Sequence, residues 1–176
     1  MQDDTQKRNE TLKKALAIEL QEKGYYVKAA ESAANPVAKQ LFERLALEED
    51  AHAKKFRAIE AELSKGKDWP QIDAPASGAA HLKAVVAAFN KGAATVSAKV
   101  TRSELDALKE AMGKELQAYD MYRARAAETG SMWEKKFYTD LAGEERVHHL
   151  ALLDSYEYLP APAGWYTVKE KWTLEG

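Results

Sequence analysis

The 176 residues are 45% apolar and 31% charged, with nine glycines, five prolines and a formal net charge of −2. That balance fits one helix-rich globular domain and gives no sign of a disordered chain, a nucleic-acid partner or a membrane-surface partner. There are no cysteines, which excludes disulfides, iron–sulfur clusters and cysteine nucleophiles and leaves only oxygen and imidazole nitrogen to hold a metal.

Taken in chain order, Leu12, Leu16 and Tyr26 recur at helical spacing and predict a first helix from about residue 8 to 33. Asn35-Pro36 then supplies an N-cap and a first helical position for a second helix reaching about Leu63. Residues 64–100 hold Trp69-Pro70, Pro75 and Gly78 and read as a crossover, with a short extra helix expected near 79–91. Thr101 and Glu104 form a capping-box pattern that opens a third helix, and Gly130 is placed to end it in a left-handed conformation. Ser131 with Glu134 is a second capping box, for a fourth helix that fades before Pro160. The remaining tail, with Trp165, Tyr166 and Trp172, is expected to be irregular and to cover the core.

A shift of 96 positions lays the first half on the second without a gap. Leu12, Lys13, Ala15, Glu19, Leu20, Gln21, Tyr26, Ala30, Lys39, Leu45, Ala46, Glu48, Glu49 and His52 all meet an identical residue. The expected fold is therefore all-α and one domain. Hairpins 8–63 and 101–157 are joined by the crossover 64–100 and followed by the tail 158–176, the connectivity of a ferritin-like four-helix bundle.

The chemistry lies in residues that break the apolar faces. Leu45, Glu49, His52 and Phe56 share one face of the second helix, and Leu141, Glu145, His148 and Leu152 repeat that spacing on the fourth. Glu19 and Glu115 lie on the faces marked by Leu16 and Tyr26, and by Met112 and Tyr122. Four carboxylates and two imidazoles would then meet inside the bundle, at a cost of several kcal/mol for each unpaired charge. Two divalent cations balance the four carboxylates in charge. The ligand types suit iron or manganese, with zinc also compatible.

The Tyr26 and Tyr122 hydroxyls are placed to hydrogen-bond the ligating carboxylates, and packing alone would also explain them. Glu48 and Glu144, about 100° round their helices from the ligands, read as solvated or interhelical charges. His149 and His81 do not read as ligands.

Glu19 with Tyr26, Glu48-Glu49-Asp50-Ala51-His52, Glu115 with Tyr122, and Glu144-Glu145-Arg146-Val147-His148 together resemble the rubrerythrin group of the ferritin-like superfamily. The resemblance covers both hairpins. It implies a non-haem centre of two iron ions, held by Glu19, Glu49, His52, Glu115, Glu145 and His148, that reduces hydrogen peroxide or reacts with dioxygen. Such proteins take electrons through a rubredoxin-like domain; with no cysteines here, the resemblance implies a separate donor protein such as a rubredoxin. They also carry an extra glutamate one turn beyond the third-helix ligand, where this chain has Ala118; the equivalent place on the first helix is Glu22, either a further metal ligand or a surface charge.

Ferritin-like iron oxidation, a dimanganese catalase-like activity and a non-catalytic metal-binding role are the alternative readings. No apolar run approaches the roughly 18 residues that span a bilayer, and Met1-Gln2-Asp3-Asp4 lacks a signal-peptide core, so a cytoplasmic location is expected. Pairing into a homodimer is left open.

Overall fold

In the computed structural model residues 2–72 and 99–160 are described, and they form an all-α bundle of four helices. These are α1 (Gln2–Ser32), α2 (Pro36–Leu63), α3 (Arg102–Glu128) and α4 (Met132–Tyr158). The expected helix at 79–91, His81 and the tail aromatics Trp165, Tyr166 and Trp172 lie outside the described residues. No described helix is long and apolar enough to cross a membrane.

α1 packs along α2 and α3 along α4, and the two hairpins meet through α1 on α3 and α2 on α4. α1 starts ahead of the expected residue 8. Its first turns have no apolar stripe to reveal them, yet they are held by Gln6 donating to Glu10 at 2.9 Å and by Lys7 pairing with Glu128 at 2.9 Å.

The turns explain why the hairpins close where they do. The Asn35 side chain caps α2 by accepting from the amides of Val37 and Ala38, with Pro36 at the first helical position. The α3 capping box is complete: Thr101 Oγ1 accepts from the Glu104 amide, and Glu104 Oε2 accepts from the Thr101 amide at 2.6 Å. The other Glu104 oxygen accepts from the Asn35 amide at 2.6 Å, so one carboxylate ties the start of the second hairpin to the turn of the first.

Two turn expectations are corrected. Gly130 is not left-handed; the one glycine with positive φ among the described residues is Gly66, just after α2. α3 ends instead on an extended Thr129, because Thr129 Oγ1 is needed at the next cap, donating to Glu134 Oε2 at 2.7 Å and accepting from the Ser131 amide. The second capping box is therefore only half formed. Ser131 does cap Glu134, but the Glu134 carboxylate turns away to Thr129 and to Arg125 Nε at 2.6 Å.

The apolar interior falls into two blocks. One contains Tyr26, Leu41, Phe42, Leu45, Leu108 and Leu152, and the other contains Leu12, Phe56, Ile59, Tyr122, Phe137 and Tyr138. Trp69, at the start of the crossover, is 5% exposed and lies against Phe137 and Tyr138 at ring separations of 5.8 and 5.7 Å, so it closes the second block.

The Arg125–Glu134 pair is buried on both sides, with side-chain exposures of 2% and 1%. Removing one partner strands the other charge. Glu134→Ala is expected to lower unfolding stability by about 3–5 kcal/mol in urea denaturation; a loss under about 1 kcal/mol would show that solvent reaches Arg125.

Candidate metal centre

Each helix delivers two side chains to the level between the apolar blocks: Glu19 and Tyr26 from α1, Glu49 and His52 from α2, Glu115 and Tyr122 from α3, Glu145 and His148 from α4. All eight are at most 2% exposed. The structure thus brings together the six residues singled out as metal ligands and both tyrosines.

Two groups form, sharing two members. Glu19, Glu49, His52 and Glu145 offer atoms within 4.8 Å of one another, and so do Glu49, Glu115, Glu145 and His148. In the first, His52 Nδ1 lies 3.1 Å from Glu19 Oε2, 3.1 Å from Glu49 Oε2 and 3.4 Å from Glu145 Oε1. In the second, His148 Nδ1 lies 3.0 Å from Glu49 Oε1, 3.4 Å from Glu115 Oε2 and 3.2 Å from Glu145 Oε2. Glu49 and Glu145 therefore put one oxygen into each group, while Glu19 and Glu115 each belong to one end. The His52 and His148 rings stack at 5.6 Å.

The end glutamates are held from behind, and the holding is crossed. The Tyr26 hydroxyl donates to Glu115 Oε1 and the Tyr122 hydroxyl to Glu19 Oε1, each leaving Oε2 for the centre. Residue 19 meets 122 and residue 26 meets 115, so α1 and α3 run antiparallel. Both roles considered for the tyrosines hold at once: their rings fill the apolar blocks and their hydroxyls fix the carboxylates.

His148 is oriented as well. Its Nε2 lies 2.8 Å from Glu48 Oε2, and Glu48 is itself held by Arg44 Nε at 2.7 Å. A proton on Nε2, shared with Glu48, leaves the Nδ1 lone pair free for a cation. Glu48 is thus an interhelical charge with a specific partner, and Glu144, its repeat counterpart, is 6% exposed and so not a solvated charge. The residues beside Glu48 did not reveal this, because the partner lies a full hairpin away. His149 turns out of the centre and donates from Nδ1 to the Met112 carbonyl at 3.2 Å.

Glu22 is not a surface charge. It is 4% exposed, and its Oε2 is buried without a hydrogen bond.

The donor set fits a pair of cations. Glu49 Oε1, Glu115 Oε2, both oxygens of Glu145, and His148 Nδ1 are buried with no partner outside the cluster, and all of them face the centre. Such orphans are costly unless something positive satisfies them.

Without metal, protons take that place. Burial pushes the Glu19 carboxyl up to about 8, only partly opposed by His52. Burial, with Glu115 and Glu49 nearby, pushes Glu22 up to about 10. Burial and the charge of Glu49 raise Glu145 well above the carboxylate range. Burial also works against charge on Glu49, but His148 and His52 on either side prevail and hold it low. Burial would lower both histidines; instead Glu19 acting on His52 and Glu49 acting on His148 raise them well above the usual imidazole range. Burial raises Tyr26 and Tyr122 well above the usual phenol range, so both remain hydrogen-bond donors.

Four helices that bring carboxylates and imidazoles into two adjoining groups able to hold metal ions make a four-helix bundle of the ferritin-like class. The rubrerythrin family model matches residues 10–156, and the chain belongs to that family. No curated protein and no solved structure matches it.

Two outcomes are expected. Raised groups bind more protons folded than unfolded, so the stability from Glu19 is full below 4.5 and lost as pH rises through about 8, with Glu22 and the histidines acting in the same direction. Within the centre Glu49 has the opposite sign, its contribution being lost on acidification below 4.5, as are those of Asp50, Glu62 and Glu104 outside it. The melting temperature of metal-free protein should therefore fall between pH 5 and pH 8 while that of metal-loaded protein falls less, as differential scanning fluorimetry would show; a parallel fall would mean that no metal displaces these protons. Separately, Glu48→Ala should weaken Mn(II) binding about 10–100-fold in competition titrations, and an unchanged affinity would reduce Glu48 to a surface charge.

Proposed function

We propose that the centre holds two iron ions and reduces hydrogen peroxide, with electrons returned by a separate donor protein. The observation that carries this is the double placement of Glu49 and Glu145, each reaching both groups, between two histidines that present Nδ1. Glu19, Glu49, His52, Glu115, Glu145 and His148 would ligate the pair, with Glu22 as a further carboxylate ligand. When bound, the metals supply two electrons and Lewis acidity to the O–O bond.

The protein's part is positional. Glu49 and Glu145 set the spacing of the two positions, and Tyr122 and Tyr26 keep Glu19 and Glu115 from swinging out. Glu48 fixes the ring of His148. The bundle interior excludes bulk water, because every candidate ligand is buried. That favours an oxidant as small as peroxide or dioxygen over a bulky substrate. Reduction of one peroxide to two waters consumes two electrons and two protons. With no cysteine among the 176 residues, the electrons are assigned to an external partner.

Protein reconstituted anaerobically with Fe(II) should hold about two iron ions per chain, the number of cation positions, and stopped-flow absorbance should show peroxide oxidising them at least about tenfold faster than free Fe(II), a factor of about 1.4 kcal/mol in barrier. Oxidation no faster than that of free iron sinks the peroxidase reading. Faster oxidation by dioxygen, with several Fe(II) turned over per site, would assign the centre to iron oxidation instead.

A further inference from the structure

We propose that the two cation positions are inequivalent: Glu22 makes the one beside His148 the tighter, and the one beside His52, facing Ala118, keeps a coordination place open. The inference rests on the dimetal reading above and adds to it a direction.

Glu22 is three residues past Glu19 and four before Tyr26, so all three share one helix face. Tyr26 reaches Glu115. Glu22 therefore stands between the level of Glu19 and that of Glu115, on the way to the His148 end. Its side chain is turned inward, 4% exposed, with Oε2 unpartnered. The charges bearing on it most are those of Glu115, Glu49 and Glu19, and the histidine among them is His148.

On α3 the same step from Glu115 to Tyr122 passes Ala118, which is 1% exposed and packed in the block that contains Tyr122. Tyr122 reaches Glu19, so this methyl stands at the His52 end. Elsewhere the repeat is closely kept: Glu for Glu, His for His, Tyr for Tyr. Here one end receives a carboxylate and the other a methyl.

A buried carboxylate with an unsatisfied oxygen is stabilised by a cation, and the register of α1 sets Glu22 toward the position that Glu115 and His148 would hold. That position gains a ligand and an extra negative charge, so it fills first. Its neighbour has fewer protein ligands, binds more weakly, and is where a small oxidant finds room.

Repulsion between cations separates the two binding steps in any dimetal site, so variants carry the test. Mn(II) would be titrated into wild-type, Glu22→Gln, His52→Ala and His148→Ala protein, with free Mn(II) read by electron paramagnetic resonance and folding checked by circular dichroism. Glu22→Gln and His148→Ala should each weaken the first Mn(II) about tenfold or more, while His52→Ala should leave it within about threefold. Ala118→Glu, which adds a carboxylate at the other end, should tighten the second step and bring the two together. A first step unmoved by Glu22→Gln, or equal losses in the two histidine variants, overturns the inference and leaves the dimetal centre standing. Fewer than about one Mn(II) per chain in the wild type would instead remove the dimetal reading itself, and the inference with it.

Discussion

Four carboxylates buried at one level of a helical bundle set the terms for everything around them. Glu19, Glu49, Glu115 and Glu145 are wholly out of solvent, within a few ångströms of each other and of two imidazoles. A domain stable by roughly 5–15 kcal/mol cannot hold four such charges uncompensated. Either protons or cations must enter, and the raised carboxyls of Glu19 and Glu145 show protons filling the place when metals do not. Protons and cations are therefore competing claims on the same oxygens.

The surrounding structure serves that waist. The apolar blocks above and below it supply the burial that holds four helices together, and Tyr26 and Tyr122 belong to those blocks while their hydroxyls hold the carboxylates. The turns matter for a related reason. Glu104 and Glu134 lock both hairpin ends with short hydrogen bonds, fixing how far each helix slides along its neighbour. A slide of one residue would carry Glu49 or Glu145 about 1.5 Å along the bundle and out of line with its partners.

Much of this was legible in the sequence, and for identifiable reasons. The 96-residue repeat, the Asn35-Pro36 and Thr101…Glu104 caps, and the Glu and His residues interrupting apolar faces are local signals, and four helices and the gathered cluster followed from them. What local pattern could not deliver was anything decided between helices distant in sequence. Glu48 reads alone as a charged flank, and only the packing of α2 on α4 gives it His148. Glu22 reads equally well as exposed or buried until α1 is seen docked on α3. Gly130 looked like a helix stop because glycine often is one, but the polar bracket of Thr129, Glu134 and Arg125 had already fixed an extended backbone there. The amphipathic signal likewise missed the start of α1, where polar contacts rather than an apolar stripe continue the helix.

The crossed grip of the tyrosines has an evolutionary consequence. Each hairpin carries the tyrosine that steadies the other's end glutamate, so one hairpin alone makes half a centre, and a hairpin associated with an identical copy would make a whole one. Such a dimer is bound by its twofold axis, since any change on one side appears on the other. A duplicated and fused gene is free of that constraint. Glutamate at 22 opposite alanine at 118 is a difference that a symmetric pair of identical hairpins cannot hold.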